Sequence, residues 1–324
     1  MTDLITPLVF KPIFQERIWG GRKLEELFGK NIPAGKRIGE SWEIADRPEA
    51  QSMVRDGPLA DRSLHDLWVN FREGIFGKVS STPRFPLLIK LLDAREKLSL
   101  QVHPTEGVAE SLGAEAKTEF WYVAAAEMDA EIYVGLRNTM SRERFEQALR
   151  SGTIADYVHT VPVKAGDAMF LPSGRFHAVG AGNVLVEIQK NSDTTYRVFD
   201  WNRVDDTGQL RSLHIAEALQ CIDFNDVAPK PVRLDGEILA ANRLFEVQKW
   251  NLESPREIVP PGQFAIVLCL SGALRCGGAE FSPGQFFLLP ASISDRTIHA
   301  KREGTSVLRI TVPGCNPALT NHDP

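Results

Sequence analysis

The feature that most restricts the fold of this chain is a succession of short apolar segments, each bounded by glycine, proline, asparagine or aspartate. In chain order the segments read FPLLIKLL, KLSLQVH, EFWYVAAA, EIYVGL, DAMFLP, NVLVEIQ, FAIVLCLSG and GQFFLLPAS. Apolar runs of about four to eight residues with such boundaries are typical of β-strands, because a helix needs a longer periodic run. The sequence therefore predicts a mainly β protein.

Helical spacing occurs in three places, which we expect to be insertions between the strands. In SRERFEQALRSG (141–152) the apolar side chains share one face, Ser141 is a candidate N-cap and Gly152 is a candidate stop. GGRKLEELFG (20–29) and SLHIAEALQCI (212–222) have similar spacing.

One internal similarity bears on the domain organisation. GDAMFLPSG (166–174) and GQFFLLPAS (284–292) both consist of glycine, five residues, proline, one further residue and a small residue. Chance could produce this order, since glycine, strand and proline often follow one another in β proteins. We prefer two related β-barrel units joined near 223–236, which divides the chain into domains 1–225 and 226–324.

The two copies differ at a position that matters for chemistry. The first copy continues to His177, five residues after Pro172, whereas the same spacing in the second copy leads to Asp295. We therefore expect a metal-binding first domain and a degenerate C-terminal domain without metal.

Composition excludes several classes of function. The 324 residues carry a net charge of −5 with both signs mixed, and no basic stripe of the kind that binds nucleic acid is present. No apolar run approaches the roughly 20 residues of a membrane span. The N-terminal MTDLITPLVFKPIF lacks the pattern of a signal peptide. Four cysteines without a CxxC pair (Cys221, Cys269, Cys276 and Cys315) are expected to be reduced, and we predict a cytoplasmic protein.

Polar residues alternate with apolar ones in KLSLQVHP. In a strand this alternation places Ser99, Gln101 and His103 on one face. A solvated outer face would also explain it. However, an amide and an imidazole are unusual on such a face, and Pro104 ends the hydrogen-bonding ladder, as expected at the rim of a barrel.

The segment KTEFWYV repeats the alternation, with Lys117, Glu119 and Trp121 on one face. Together with His177 after the PSG turn, these segments supply two histidines, a carboxylate and an amide. Zn²⁺ suits such a set, although Mn, Fe, Co or Ni could also bind, and a polar cluster at a barrel mouth is the alternative. The candidate metal ligands are Gln101, His103, Glu119 and His177.

Several ordered motifs resemble a known family. The spacing from Gly166 to His177 resembles the second cupin motif, and QVHP, KTEFWY and EIQKNSDTTYRVFDWNR resemble the short bacterial form of the type I mannose-6-phosphate isomerases. RIWGGRKL and IGESWEIADRP fit the same family. The resemblance covers roughly residues 10–215, while the C-terminal third matches only in general character. It implies two linked cupin (jelly-roll) barrels with helical insertions.

The resemblance also assigns roles to residues. It implies one zinc ion per chain, bound by the four ligands named above. It implies catalytic roles for Lys117, Glu187, Asp193 and Arg197, and substrate-binding roles for Lys90, Ser99, Lys117 and Arg197. One departure concerns Ala178, because longer family members often have an aromatic residue directly after the last zinc histidine.

The implied reaction interconverts mannose 6-phosphate and fructose 6-phosphate by moving a proton between C2 and C1 through an enediol. A divalent cation would stabilise the negative charge on the enediol oxygens. Glu187, Asp193 or a metal-bound water could serve as the base. The expected partner is a small phosphorylated sugar, with no nucleic acid and no membrane, and the expected state is a monomer or weak homodimer.

Each implied role has an ordinary structural alternative. Lys90 could extend along a strand edge, Glu187 could lie on an outer face, Asp193 could cap its own turn, and Arg197 could form a routine salt bridge. His65, His159, His214, His299 and His322 lack partner spacing and are interpreted as surface or packing residues.

Two rival functions remain. Two histidines and one carboxylate suit non-haem iron, so a cupin oxygenase is possible; Gln101 as a fourth ligand would leave less room for oxygen and substrate together. A sugar-binding regulatory cupin without turnover is the other rival, and it predicts the loss of ligands or of Arg197, which are present.

Overall fold

A computed structural model of the chain describes residues 6–79, 82–204, 208–233 and 236–314. Cys315, His322 and the first five residues lie outside this part. The strands of the first half are β1 (Ile13–Gly21), β2 (Ile38–Ile44), β3 (Leu87–Ala94), β4 (Leu100–Val102), β5 (Glu119–Ala126), β6 (Glu131–Leu136), β7 (Val158–Pro162), β8 (Ala168–Leu171), β9 (His177–Val179), β10 (Asn183–Lys190) and β11 (Tyr196–Phe199).

The strands that follow residue 225 are all short or of moderate length. They are β12 (Ile238–Ala241), β13 (Glu246–Asn251), β14 (Arg256–Glu257), β15 (Ala265–Ser271), β16 (Leu274–Cys276), β17 (Ala279–Phe281), β18 (Phe286–Leu289), β19 (Thr297–Ala300) and β20 (Ser306–Thr311). The α-helices are α1 (Lys23–Phe28), α2 (Leu64–Asn70), α3 (Arg72–Phe76), α4 (Glu106–Leu112), α5 (Arg142–Arg150) and α6 (Ile215–Cys221), with a 3₁₀ helix at Ile154–Tyr157.

The strands form four antiparallel sheets, which make two pairs. The first sheet pair consists of a six-stranded sheet, in the order β1-β2-β3-β10-β5-β8, and a five-stranded sheet, β11-β4-β9-β6-β7. The second sheet pair consists of β12-β13-β20-β15-β18 and β14-β19-β16-β17. The prediction of a mainly β protein is confirmed, although none of these sheets closes on itself within the described residues.

Both sheet pairs repeat one strand order. In the first pair β3-β10-β5-β8 and β4-β9-β6-β7 are neighbours, and in the second pair β13-β20-β15-β18 and β14-β19-β16-β17 follow the same sequence of connections. The repeated glycine–proline segments contain β8 and β18, whose last residues, Leu171 and Leu289, pair with Glu119 and Ala265 respectively. The internal similarity therefore corresponds to a repeat of eight strands.

Strand alternation divides the core into layers. On β10, Val184, Val186 and Ile188 face the second sheet pair, where they join apolar residues from β13, β15, β18 and β20. Leu185 points the other way, into the interior of the first pair. The second pair has its own interior cluster. The six-stranded sheet and the five-stranded sheet β12-β13-β20-β15-β18 thus pack face to face, as in other layered β proteins. The predicted boundary between residues 225 and 226 stays a prediction.

Aromatic rings reinforce the contact between the halves. Phe76 and Phe85 of the first half contact Phe264 of the second, with ring centroids 5.4 Å and 6.0 Å from it respectively, and Trp68 packs against Phe76 and Phe85. All four are buried. Full burial of an aromatic ring stabilises a fold by roughly 1.5–3 kcal/mol, so this cluster is a substantial tie between the sheet pairs.

The predicted helices exist but are shorter than expected. In α5 the Ser141 hydroxyl accepts from the Arg144 amide, which confirms the predicted cap. In the predicted helical segment 20–29, Gly20 and Gly21 belong to β1 instead, and Gly29 ends α1 with φ +59°. Helices α2, α3 and α4 were not predicted from the sequence.

Three of the four cysteines lie in the described part of the chain. Cys221, Cys269 and Cys276 are free and buried, and burial raises the pKa of each thiol. In the part of the chain that is described, no helix is long and apolar enough to span a membrane.

Candidate metal centre and active site

The four candidate ligands come from three strands of the first sheet pair. Gln101 lies on β4 and pairs directly with His177, the first residue of β9. His103 follows β4, where Pro104 stops the strand, and Glu119 is the first residue of β5. Residues that are distant in the sequence therefore meet near strand ends.

Three of these side chains converge closely. Glu119 Oε1 lies 3.1 Å from His103 Nε2, and Glu119 Oε2 lies 3.6 Å from His177 Nε2. One donor atom from each residue fits within a mutual distance of 4.8 Å. The other ring nitrogen of each histidine faces a main-chain carbonyl: His103 Nδ1 is 2.8 Å from Thr194 O, and His177 Nδ1 is 2.8 Å from Arg175 O. Protonation at Nδ1 leaves the Nε2 lone pairs directed at the centre.

The three side chains are buried, and the facing atoms of His103 and Glu119 have no hydrogen-bond partner among the described residues. Exposed fractions are 2% for His103, 0% for Glu119 and 1% for His177. Among the described residues, neither His103 Nε2 nor either carboxylate oxygen of Glu119 has a hydrogen bond of acceptable geometry, although Lys117 Nζ lies 2.5 Å from Oε1. Unpaired buried polar atoms are costly. A cation between them would satisfy all three, so the residues fit a metal.

The protonation states also suit a metal. Burial, with the nearby Lys117 ammonium, lowers the pKa of His103 to about 3, and burial lowers that of His177 as well. Burial alone would raise the pKa of Glu119, but Lys117 and the two imidazoles hold it well below its usual value. At neutral pH the centre therefore offers two neutral imidazoles and a carboxylate, which are the metal-binding forms.

Gln101 lies beside this centre. Its Nε2 is 3.4 Å from His177 Nε2. A half-turn of the amide group would exchange its nitrogen and oxygen, which would aim Oε1 at the same place. The assignment of Gln101 as a fourth ligand stays a prediction.

A cavity of about 390 Å³ opens next to the metal centre. Seven of the residues predicted from the sequence line it: Lys90, Ser99, Gln101, Lys117, Glu187, Asp193 and Arg197. A larger cavity of about 670 Å³ lies between α3 and the loop at 261–264, and none of the predicted site residues lines it. The smaller, more polar cavity is the candidate active site.

Other lining residues were not assigned from the sequence. Arg17, Trp19 and Glu40 project from β1 and β2. The quoted segments RIWGGRKL and IGESWEIADRP contain them, but spacing alone gave no role. A Cβ at Gly39 would lie 2.6 Å from Arg17 Cβ and 2.7 Å from the Trp19 ring. This glycine therefore lets both side chains cross β2.

A buried row of charges forms one wall of the cavity. Lys90 Nζ lies 3.3 Å from Glu187, 3.7 Å from Glu40 and 3.8 Å from Asp193. Burial would lower the pKa of Lys90, but these carboxylates raise it overall. Lys90 is therefore charged at neutral pH and faces carboxylates, rather than solvent at a strand edge.

The pKa values of Glu40 and Glu187 shift in opposite directions. Burial would raise the pKa of Glu40, but Lys90, Arg17 and hydrogen bonds from Arg17 and Trp42 lower it to about 2. For Glu187, burial and the nearby Glu119 raise the pKa. Trp121 Nε1 donates to Glu187 Oε1 at 3.0 Å. Glu187 thus lies inside the sheet pair, not on an outer face, and is the more readily protonated carboxylate.

Arg197 and Arg211 line another part of the cavity. Arg197 lies on β11 opposite Gln101, and one of its terminal nitrogens donates to Ser212 O at 2.8 Å. Its Nε is buried and has no hydrogen-bond partner among the described residues. Arg211, which no motif had indicated, donates twice to Asp200, at 2.7 and 2.6 Å. Burial and the charge of Arg211 lower the pKa of Arg197.

The fold and the site together define a mainly β protein with a buried two-histidine, one-carboxylate metal site beside a polar cavity. Comparison with known proteins narrows this class. The profile of "Phosphomannose isomerase type I, catalytic domain" matches residues 8–148. The chain belongs to the type I phosphomannose isomerase family.

Individual relatives match along nearly the whole chain. The probable mannose-6-phosphate isomerase GmuF of Bacillus subtilis is 38% identical over 95% of this chain and 99% of its own length. The mannose-6-phosphate isomerase ManA of the same species is 36% identical over 89% of this chain and 94% of its own length. A crystal structure of the mannose 6-phosphate isomerase from Bacillus subtilis superposes with a TM-score of 0.81 at 31% identity, covering 95% of this chain and 100% of that one.

Proposed function

We propose that this chain is a zinc-dependent aldose–ketose isomerase that interconverts mannose 6-phosphate and fructose 6-phosphate through an enediol. The observation that carries the proposal is the convergence of His103, Glu119 and His177 beside a polar cavity, with buried atoms on His103 and Glu119 that have no hydrogen-bond partner among the described residues. The names of the relatives supply the substrate.

Three or four side chains would hold the metal. His103, Glu119 and His177 would bind directly, with Gln101 as the proposed fourth ligand. A bound divalent cation would supply Lewis-acid stabilisation of negative charge on the substrate oxygens. Zinc suits the nitrogen and oxygen donors, and its lack of redox chemistry suits an internal proton shift.

Glu187 is the proposed base that moves the proton between C2 and C1. It is buried, lines the cavity and has a raised pKa, which brings its proton affinity closer to that required at neutral pH. Trp121 and Lys90 each hold one of its oxygens. Asp193 is the alternative base, but its side chain is 43% exposed and less constrained.

The distribution of charge suggests where the phosphate binds. Lys90 faces three carboxylates, Lys117 faces Glu119, and Arg211 pairs with Asp200. Arg197 has no carboxylate partner within the described residues and has a free Nε. We therefore place the phosphate dianion at Arg197, with Arg211 next to it.

The remaining polar groups would contact the sugar. Ser99 and Lys117 line the cavity near the metal centre and would bind hydroxyls or assist ring opening. Contact of Lys90 with substrate is also part of the prediction, although its surroundings favour a role in holding Glu187. These groups bind, orient and exchange protons, so their positions matter as much as their charge.

Several broader expectations belong to the same proposal. Each sheet pair would be one cupin (jelly-roll) barrel, with one zinc ion in the first and none in the second. The protein would act in the cytoplasm as a monomer or weak homodimer. The repeated strand order and the single cluster of metal-ligating side chains in the described residues support the first of these expectations.

The test is a coupled assay of the purified protein with mannose 6-phosphate, before and after removal of metal by a chelator. We expect activity to disappear with the metal and to return on addition of Zn²⁺, while the circular dichroism spectrum stays unchanged. Full activity in protein shown by elemental analysis to contain no metal would contradict the proposal. Iron in the purified protein, together with oxygen-dependent turnover, would favour the oxygenase instead.

A further inference from the structure

The chain turns sharply after β11, at Asp200–Arg203, and the backbone there is strained. Trp201 and Asn202 have φ of +58° and +53°. The other two non-glycine residues with positive φ in the described part of the chain, Asp61 and Ala228, are isolated. Each such residue costs on the order of 1 kcal/mol or more, and the conformation persists only where other contacts impose it.

The contacts that impose this conformation reach the segment before β4. Trp201 Nε1 donates to Leu98 O at 2.6 Å, and a terminal nitrogen of Arg203 donates to Lys97 O at 2.8 Å. Two consecutive main-chain carbonyls are thus held by the same turn. The segment they belong to continues into Ser99 and Gln101, which line the cavity.

The Trp201 ring is itself held firmly. Its centroid lies 5.3 Å from that of Tyr133 and 5.5 Å from that of Phe199, and Lys97 Nζ lies 4.0 Å above it. A ring enclosed on several sides cannot swing away, so its hydrogen bond to Leu98 fixes a direction as well as a distance.

The same turn also holds Arg211, which lines the cavity. Asp200 is 5% exposed and accepts from Arg203 at 2.7 Å and from Arg211 at 2.7 and 2.6 Å. Arg203 therefore connects the carbonyl of Lys97 to the carboxylate that orients Arg211. One short segment thus contacts both the approach to β4 and a cation of the cavity.

We propose that Trp201 and Arg203 are positioning residues, which set the place of Ser99 and Gln101 relative to the metal centre. The inference rests on the proposed function and names a further part of its machinery. Gln101 is three residues from Leu98, about 10 Å along a strand. A shift of the Leu98 carbonyl would therefore move the amide of Gln101 away from His177, and displacement of a group that supports a metal site typically weakens binding by roughly 10- to 100-fold.

The test compares variants of the full-length protein. Trp201→Phe keeps an aromatic ring but removes the indole N–H that donates to Leu98 O. Arg203→Met removes the guanidinium that donates to Lys97 O and keeps a side chain of similar length. Asn202→Gly is the matched control, because it relieves the strain at an exposed residue and keeps both hydrogen bonds. Zn²⁺ and Co²⁺ dissociation constants would be measured by competition with a chelator, together with KM, kcat and the melting temperature.

We expect Trp201→Phe and Arg203→Met each to raise the metal dissociation constant by roughly tenfold and to shift the Co²⁺ absorption spectrum. Asn202→Gly should leave both unchanged and raise the melting temperature. If both donor variants bind metal as tightly as the parent, with the parent's spectrum, the inference is wrong. Arg203→Met decides the question if Trp201→Phe does not fold. A parent protein that neither binds metal nor isomerises mannose 6-phosphate would instead contradict the proposed function.

Discussion

The two sheet pairs share a strand order but differ in what their interiors contain. Glu119 pairs with Leu171, and the matching position opposite Leu289 is Ala265. Glu187 pairs with Lys90 in the first sheet pair, whereas Arg309 pairs with Gln248 in the second. The backbone arrangement therefore does not create the site. A few substitutions at inward-facing positions determine whether a pair holds a polar cavity.

The second sheet pair fills its interior with its own side chains. Arg309 donates to Ile258 O at 2.7 Å and to Glu246 at 3.1 Å, and Trp250 has the Arg256 guanidinium 3.6 Å above its ring. The inward-facing charge of Arg309 thus has acceptors within the second pair, which suits a structural role, whereas His103 Nε2 and the Glu119 oxygens of the first pair have no hydrogen-bond partner among the described residues.

The largest contrast is expected from one alanine substitution in each pair. His177→Ala removes a ligand, so metal content should fall and activity should drop by more than about 100-fold. Ile298→Ala, at the corresponding place in the second small sheet, should keep activity per folded molecule but lower the free energy of unfolding by about 2–5 kcal/mol. Elemental analysis, the coupled assay and urea unfolding would measure these effects. If Ile298→Ala lost its metal, or if His177→Ala kept its metal, the predicted difference between the two sheet pairs would be wrong.

A second contrast concerns the residues opposite Lys90 and Gln248. Glu187→Gln should lower kcat by roughly 10²- to 10⁴-fold, because the proposed base is lost. Arg309→Gln should leave kcat unchanged and lower the free energy of unfolding by about 1–3 kcal/mol, because buried acceptors lose their donor. Steady-state kinetics and denaturant unfolding on both variants would check this. A Glu187→Gln enzyme with the parent's kcat would move the base to Asp193 or to a metal-bound water.

The smallest expected contrast between the two sheet pairs is in the acid sensitivity of the metal-free protein. The His103 pKa of about 3 lies below the unfolded value of 6.5, so the unfolded chain binds the extra proton between these pH values, and stability falls as pH drops through them. Glu40, at about 2 against 4.5, adds to the loss at lower pH. Amide exchange at pH 7 and pH 4 should show β4 and β5 losing protection before β15 and β18. Equal loss in both sheet pairs would show that these groups do not control local stability.

Local patterns predicted those parts of the site that depend on strand alternation. Lys117, Glu119 and Trp121 do share a face, and Glu187 does point away from Val184, Val186 and Ile188. Alternation is a property of a single segment, so it can be read without knowing which strands pair. The proposed ligands followed from the same reasoning combined with the family resemblance.

The parts that depend on pairing between distant segments were not predictable from spacing. Glu40 and Arg17 contact the wall around Lys90 only because β1 and β2 extend the larger sheet. Strand alternation in KLSLQVHP would put Leu98 on the same face as Leu100, but Leu98 lies before β4 and packs in the interior of the first sheet pair, whereas Leu100 belongs to another cluster.

The repeat illustrates the same limit. Counting from the proline placed Asp295 at the position of His177, but Asp295 precedes β19. It is Ile298 that pairs with Cys276, as His177 pairs with Val134. A loop of different length is enough to shift such an alignment.

The apolar layer between the six-stranded sheet and the sheet β12-β13-β20-β15-β18 has a consequence for any shortened form of the protein. A fragment ending at residue 225 would retain every proposed ligand, yet it would expose to water Ile89, Leu91 and Val186, which are 0% exposed in the whole chain. Such a fragment should self-associate, which light scattering would register, so the half that holds the proposed ligands needs the second sheet pair as a cover against aggregation.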